Sequence, residues 1–395
     1  MNKYSNKLIK NFPDYLFNKI NEQKLNLRQA GEDVIDLGYG NPDIPSHELV
    51  VEKLIESAQI KKNHKYSVSK GIHGLRNAIS KKYLREYGIN IDPAKNIVNT
   101  IGSKEGLTHL LMSVIDKGDN VIVQDPSYPI HHYAPLIAGA NVIKIKCLSA
   151  DGFMQDLKTS LVNEKVKVVL ISFPHNPTTL TVNQEFYDEL VELAKIYNFL
   201  LINDFAYSDI YFNDEKPPSL LNSDPELEHC VELYSLTKGY SMAGWRVGFA
   251  IGNENAISAL TKLKSYVDYG TFQPIQIAST VAINDLDDYP KEVSSIYSER
   301  RLLAREYLIK NGFEVQESNA TMFVWAKLPK HYKNDSMKFS LDLLSKSNVA
   351  VSPGVGFGKF GEGYIRLALV ENCLLYTSDA ADDTPCVDLG GRRII

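Results

Sequence analysis

Cysteine is scarce in this chain: Cys147, Cys230, Cys373 and Cys386 are the four in 395 residues, widely separated and without a C-x-x-C pair. That spacing argues against a disulfide framework and against a thiolate metal site. Long apolar runs are missing as well. No stretch reaches the ~18 residues that a membrane-spanning helix needs, and Met1 to Lys10 is polar, without the apolar region of a signal peptide. Positive charge is not in excess. Lys and Arg number 43 against 48 Asp and Glu, a net charge of -5, so there is no basic field to capture nucleic acid or an anionic membrane. No G-x-G-x-x-G separates a first strand from a first helix, which removes the dinucleotide-binding fingerprint of a nicotinamide dehydrogenase. What remains is an ordinary globular composition, 44% hydrophobic and 23% charged, long enough for two domains or one large core. Small-molecule chemistry in the cytoplasm, with no nucleic acid and no membrane as partner, is the expectation.

Periodicity organises the chain. An aromatic-apolar patch, Phe12 to Ile20 with Pro13 at its head, precedes a helical-looking segment to Gln29 and a short strand at Val34–Leu37. Helical spacing follows at His47–Gln59 and Leu75–Tyr87, the latter closed by Gly88. The middle alternates short strands, apolar on both sides, with amphipathic helices. Strands are expected at Ile97–Ile101, Val121–Val123, Asn141–Ile145, Val166–Ile171, Leu200–Ile202 and Val231–Tyr234, and helices at Leu107–Ile115, Ile130–Ala138, Gln184–Tyr197 and Asn255–Val267. This is the pattern of an α/β fold with a mostly parallel sheet covered on both faces. Beyond Pro274 the pattern changes to long helices, Ile275–Leu286 and Ser295–Lys310, then strand-like pieces at Phe323–Ala326, Val349–Val351 and Tyr364–Ala368, as in a separate α+β unit. There are no internal repeats. The stretch 373–395 has neither period, clusters Asp, and resembles adapter or vector read-through, so it is left out of the fold reasoning.

The residues that could carry chemistry fall just past strand ends, where open α/β sheets place their ligands. Ser235-Leu-Thr-Lys238 puts one lysine among small and hydroxylated residues, with Arg246 close behind. A desolvated lysine beside other cations becomes a nucleophilic amine that can bond an aldehyde cofactor such as pyridoxal phosphate; a solvated loop lysine fits the same letters. Gly102-Ser103-Lys104 stands between a strand and a helix start, an anion seat or an unused helix N-terminus. Asp204, after Leu200-Leu-Ile-Asn203, is placed to hold a pyridine nitrogen protonated, or to cap a turn. Asn176 in Asn176-Pro177-Thr178 and Tyr207 could donate to a ring oxygen, although Asn-Pro also starts plain turns. Tyr128 could lie on a cofactor face or in the core. Gly38-Tyr-Gly40-Asn41 reads as backbone exposed to a ligand or as a surface turn. Arg366, inside an apolar strand, needs a partner, and a carboxylate suits its planar fork; an exposed-face arginine is the other reading.

In their joint order these motifs resemble the class I/II aminotransferases, fold-type I pyridoxal phosphate enzymes, over about residues 10 to 372. The resemblance implies a three-layer α/β/α large domain with a mostly parallel sheet and a smaller α+β domain built from both chain ends. It divides the chain into 1–45 as N-terminal arm and part of the small domain, 46–274 as the large domain, 275–372 as the small domain, and 373–395 as a non-native tail. It also implies that in the family a helix follows the strand of Arg366, where this chain has that tail. Lys238 becomes the lysine that bonds the cofactor and moves the proton, Asp204 the pyridinium partner, Asn176 and Tyr207 the donors to the ring oxygen, and Tyr128 the stacking ring. Ser103, Lys104, Ser235 and Arg246 would hold the phosphate, Arg366 and Gly40 the substrate carboxylate, with Asn176 beside them. Tyr66, in Lys65-Tyr-Ser-Val-Ser, would reach the phosphate from a second subunit, which implies a homodimer with shared sites.

Lys65–Arg76, Gly102–Leu107, Asp125–His131, Met242–Gly248, Lys264–Phe272 and Val351–Gly358 look like the bacterial alanine (glutamate:pyruvate) transaminase branch, which implies alanine and 2-oxoglutarate as substrates and pyruvate and glutamate as products. LL-diaminopimelate and aspartate aminotransferases are close alternatives. A pyridoxal phosphate lyase or decarboxylase would share the cofactor site. A cofactor-sensing transcription regulator would need a DNA-binding module, for which the segment before Gly38 is too short and insufficiently basic.

Overall fold

The computed structural model describes residues 4–12, 17–332 and 335–371. Pro13 and the stretch 373–395 lie outside the described residues. The centre is a seven-stranded sheet whose strands stand in the order Ile97–Thr100, Gly248–Gly252, Cys230–Ser235, Leu200–Asp204, Val166–Ile171, Asn120–Asp125, Asn141–Lys146. Gly248–Gly252 runs antiparallel to both neighbours, and the other pairings are parallel. Side chains alternate across a strand, which explains the unbroken apolar runs. Val168 and Leu170 enter one core while Val169 and Ile171 enter the other, and Val121 and Val123 are separated from Ile122 in the same way. One face is covered by the helices Ser103–Val114 and Glu254–Val267, through Leu107, Leu110, Leu111, Ile257 and Leu260. The other is covered by His73–Tyr87, Ala150–Asn163 and Gln184–Tyr197, among others, through Leu75, Ile79, Phe153, Leu157 and Leu190. Three layers result.

The second unit is an antiparallel sheet in the order Ser352–Pro353, Tyr364–Ala368, Phe323–Lys327, Glu314–Val315. It packs on the helix Tyr289–Lys310 through Val293, Tyr297, Ala304 and Leu308. Residues from the first part of the chain join it: Ile35–Asp36 pairs in parallel with Val349–Ala350, and Ile20 and Val34 share a small core with Leu344 and Ala350.

Among the elements not anticipated are two helices and a strand of the large sheet. The helix Ala150–Asn163 begins at Ser149, whose hydroxyl accepts the Gly152 N–H, and Ser336–Ser347 begins at Asp335, whose carboxylate accepts the Lys338 N–H; both starts are ordinary caps. Gly248–Gly252 is framed by glycines, and Gly248 is needed inside the sheet because a Cβ there would stand 2.8 Å from the Ser103 nitrogen. The helix Gln273–Asp285 places Ala278, Ala282 and Ile283 in the core of the large sheet's face with Val50, Leu75 and Ile79. It therefore packs with the large sheet, although it lies past 274, where the sequence pattern changes.

Candidate active site

The carboxyl ends of the parallel strands converge on one cavity of about 540 Å³. Asp204 and Ser235 are the last residues of their strands, Tyr128 comes three residues after the strand end at Asp125, and Lys238 lies in the loop that leads to Gly248. All four line the cavity, with Gly40, Ser103, Lys104, Asn176, Tyr207, Arg246 and Arg366. Of the residues singled out from sequence, only Tyr66 is elsewhere. It is 88% exposed and lies against Tyr269, ring centroids 5.2 Å apart.

Lys238 Nζ donates to the Gly40 carbonyl at 2.8 Å. Burial, then the positive charges of Arg366 and Arg246, bring its pKa down to about 7. An amine in that condition is a nucleophile and a proton carrier near neutral pH. Arg366, 6% exposed, lies in the strand Tyr364–Ala368 opposite Trp325 and Ser352. Its guanidinium carbon is 4.1 Å from the Phe323 ring centre and 4.6 Å from that of Phe357. Nη1 donates to Asn176 Oδ1 at 2.8 Å and Nη2 to the Gly38 carbonyl at 3.0 Å. The exposed-face reading of Arg366 is thereby removed. Because the Asn176 oxygen is committed to Arg366, its amide nitrogen is the end left to donate. A Cβ at Gly40 would stand 2.8 Å from the Phe323 ring, so the Phe323–Arg366 stack requires glycine there.

The anion seat forms as the strand Ile97–Thr100 turns through Gly102, at φ 77°, into the helix Ser103–Val114. A Cβ on Gly102 would overlap the Arg246 guanidinium. The glycine thus lets an arginine lie against a helix N-terminus, two sources of positive potential at one point. Ser235 Oγ donates to Thr237 Oγ1 at 2.8 Å beside them. Lys104 Nζ is 5.9 Å from the Tyr128 ring centre. Tyr207 is buried, which pushes its phenol pKa up, and its ring centre is 5.8 Å from Lys238 Nζ.

Asp204 is 8% exposed. Its Oδ2 pairs with His131 Nε2 at 2.9 Å, and His131 Nδ1 meets Ser127 Oγ at 2.7 Å. Its Oδ1 is buried with no partner among the described residues, a costly state for a carboxylate oxygen unless a ligand donates to it. His131 is one functional residue that sequence reasoning missed. The signal for it is helical spacing: it stands three residues after Tyr128 at a helix start, so both reach the same side. The helix Phe17–Gln29 was missed as a wall of the cavity, to which Phe17, Ile20, Asn21 and Lys24 contribute. Lys24 is tied there by a 2.6 Å pair to Asp36. No local motif marks those residues.

The cavity brings together a lysine of lowered pKa, a helix N-terminus with an arginine against it, a buried carboxylate and a buried arginine. The family described as aminotransferase class I and II matches residues 32–373. The chain is 42% identical over 367 residues to the glutamate-pyruvate aminotransferase AlaC of Escherichia coli K12, covering 92% of this chain and 89% of that one. It is 37% identical to the LL-diaminopimelate aminotransferase of Moorella thermoacetica, covering 91% and 93%. A solved aspartate aminotransferase of Thermotoga maritima superposes with a TM-score of 0.86 at 31% identity, covering 93% of this chain and 96% of that one. The chain belongs to the class I and II aminotransferases. It is an enzyme of the fold-type I architecture, in a family that works with pyridoxal phosphate on amino acids and 2-oxo acids. Among the described residues no helix is long and apolar enough to cross a membrane.

Proposed function

We propose that the protein binds pyridoxal phosphate in this cavity and transfers the amino group of alanine to 2-oxoglutarate, giving pyruvate and glutamate. The observation that carries the reading is the pairing of Lys238, its pKa brought down to about 7, with a cavity wall on which Asp204 keeps one buried oxygen without a donor among the described residues. That oxygen fits a protonated ring nitrogen, and the seat at Gly102 and Arg246 fits a phosphate. Bound there, the cofactor supplies an aldehyde that carries the amino group and a ring that withdraws electrons from the substrate carbon.

The chain's own residues do the rest. Ser103, Lys104, Ser235 and Arg246 bind the phosphate. Asp204, oriented by His131, keeps the ring nitrogen protonated, and Tyr207 and Asn176 donate to the ring oxygen while Tyr128 covers the ring face. Arg366 grips the substrate carboxylate beside the Gly38–Gly40 backbone and so fixes which bond at the α-carbon faces the ring. Lys238 Nζ takes the α-proton from the amino acid and returns one to the α-carbon of the oxo acid acceptor. Tyr66, exposed and outside its own chain's cavity, supports a homodimer in which it completes the partner's phosphate site.

Alanine is preferred as donor on the 42% identity to AlaC; LL-diaminopimelate and aspartate are the competing donors. Purified protein mixed with pyridoxal phosphate is expected to show a visible absorption band and a borohydride-reducible linkage, both lost in Lys238→Ala. A reducible linkage that survives in Lys238→Ala would sink the cofactor assignment. A donor panel against 2-oxoglutarate, with pyruvate measured directly, decides the substrate: faster turnover of aspartate or LL-diaminopimelate overturns alanine. Sedimentation of the protein tests the dimer.

A further inference from the structure

Asp125 ends the strand Asn120–Asp125 and is 1% exposed, yet it takes no part in the chemistry described above. A buried carboxylate needs donors, and Asp125 finds them in the other unit. Its Oδ1 accepts the Phe360 N–H at 3.0 Å and its Oδ2 the Lys359 N–H at 3.3 Å. Lys144 Nζ, on a side chain 46% exposed, is 3.9 Å from Oδ2. The fit is close: Gly358 has φ 136°, and a Cβ on it would overlap the Asp125 carboxylate. Two residues along, the Ser127 N–H donates to the Phe357 carbonyl at 2.8 Å. Three bonds to backbone groups thus join Asp125–Ser127 to Phe357–Phe360.

Each side of this junction leads into the cavity. On the large-sheet side, Ser127 bonds His131, the partner of Asp204, and Tyr128 is the ring expected on the cofactor face. On the other side, the Phe357 ring lies 4.6 Å from the Arg366 guanidinium carbon and edge-on to Trp325 and Phe17. We propose that Asp125 is a positioning residue: its carboxylate latches the Gly358–Phe360 turn and so fixes the Phe357–Arg366 carboxylate site relative to the Asp204–Tyr128 side of the cavity. The proposal rests on the functional reading above for the role of Arg366. The residues proposed to hold the cofactor lie on the large-sheet side of the latch, and of them Asn176 also bonds Arg366. Loosening it therefore weakens substrate binding and spares cofactor binding.

The test compares Asp125→Asn and Gly358→Ala with wild type. Asn keeps the shape but turns an NH₂ group toward one of two backbone N–H donors, and Ala pushes the turn away from the opposite side. Expected in both are faster hydrogen exchange at the Lys359 and Phe360 amides, a KM for amino acid and oxo acid raised about 10-fold, and a pyridoxal phosphate Kd within about twofold of wild type. Faster exchange with unchanged KM overturns the proposal, as does unchanged exchange, or a Kd that worsens in step with KM. Should Asp125→Asn fail to fold, Gly358→Ala decides alone. A wild type that transaminates none of the donors would sink the functional reading, and amide exchange would still decide whether the latch exists.

Discussion

Two lysines withdrawn from solvent, Lys82 on the helix His73–Tyr87 and Lys238 on the loop after Ser235, behave oppositely. Lys82, with a side chain 2% exposed, sits between Glu86 at 2.6 Å and Asp209 at 3.2 Å, with the Tyr240 hydroxyl at 3.4 Å. Burial alone would lower its pKa, but Asp209, Tyr240 and Glu86 outweigh burial and hold it above the ordinary lysine range. Lys238 is desolvated too, and among the described residues the charges that act on it are Arg366 and Arg246, which push the same way as burial and bring its pKa down to about 7. Desolvation acts on both, so the sign of the neighbouring charge separates a structural ammonium from a reactive amine.

The largest break in this comparison is Lys238→Ala, expected to lower transamination on the order of 10⁴-fold or more, measured as pyruvate release. Lys82→Met should leave the visible absorption of the cofactor-loaded protein in place while costing about 3–5 kcal/mol of stability, because Asp209 loses its cation in a buried site; a melt that does not move contradicts the pairing. Asp204→Asn removes the negative charge but keeps the shape, and a drop of about 10²–10³-fold in kcat is expected. Arg366→Lys loses the planar fork and should lower kcat/KM by about 10²-fold with cofactor binding retained.

The smallest effect is the sharpest on the lysine itself. Below about 7 Lys238 is protonated and inert, and above it is neutral. Capture of pyridoxal phosphate by cofactor-free protein should therefore rise with pH through about 7 and level off, where an ordinary lysine would keep gaining to about 10.4. Arg366→Met removes one repelling cation, so the rise should move to higher pH. A profile that stays put would show that burial alone sets the value.

Much of this site was legible because its residues sit at strand ends, where an apolar run stops and a polar or glycine residue begins. Asp204, Ser235, Lys238 and Asn176 all carry that mark. His131, the Phe17–Gln29 wall and the Asp125 latch did not. Their roles come from what they touch across 73 residues in one case and 235 in another, and no local pattern encodes such a distance. The strand Gly248–Gly252 was hidden for a related reason: Gly248 serves the close approach of Ser103 and Gly252 that of the Cys230 carbonyl. The change to the smaller unit was visible as a change of pattern, yet the helix Gln273–Asp285 follows its packing partners and not that change.

The one antiparallel strand of the large sheet has a kinetic consequence. Had Gly248–Gly252 run parallel to Cys230–Ser235, a crossover would have carried the chain to the far end of the sheet. Instead it returns directly, and Ser235 at the strand end, with Lys238 and Arg246 on the loop that follows, stay within one connection between neighbouring strands. Closing a short loop costs little chain entropy, and contacts near in sequence form early. The lysine and its phosphate-side arginine can thus be assembled by a local event, before the distant strand of Arg366 has found its place, and pulsed hydrogen exchange during refolding should see the Cys230–Gly252 amides protected ahead of Tyr364–Ala368.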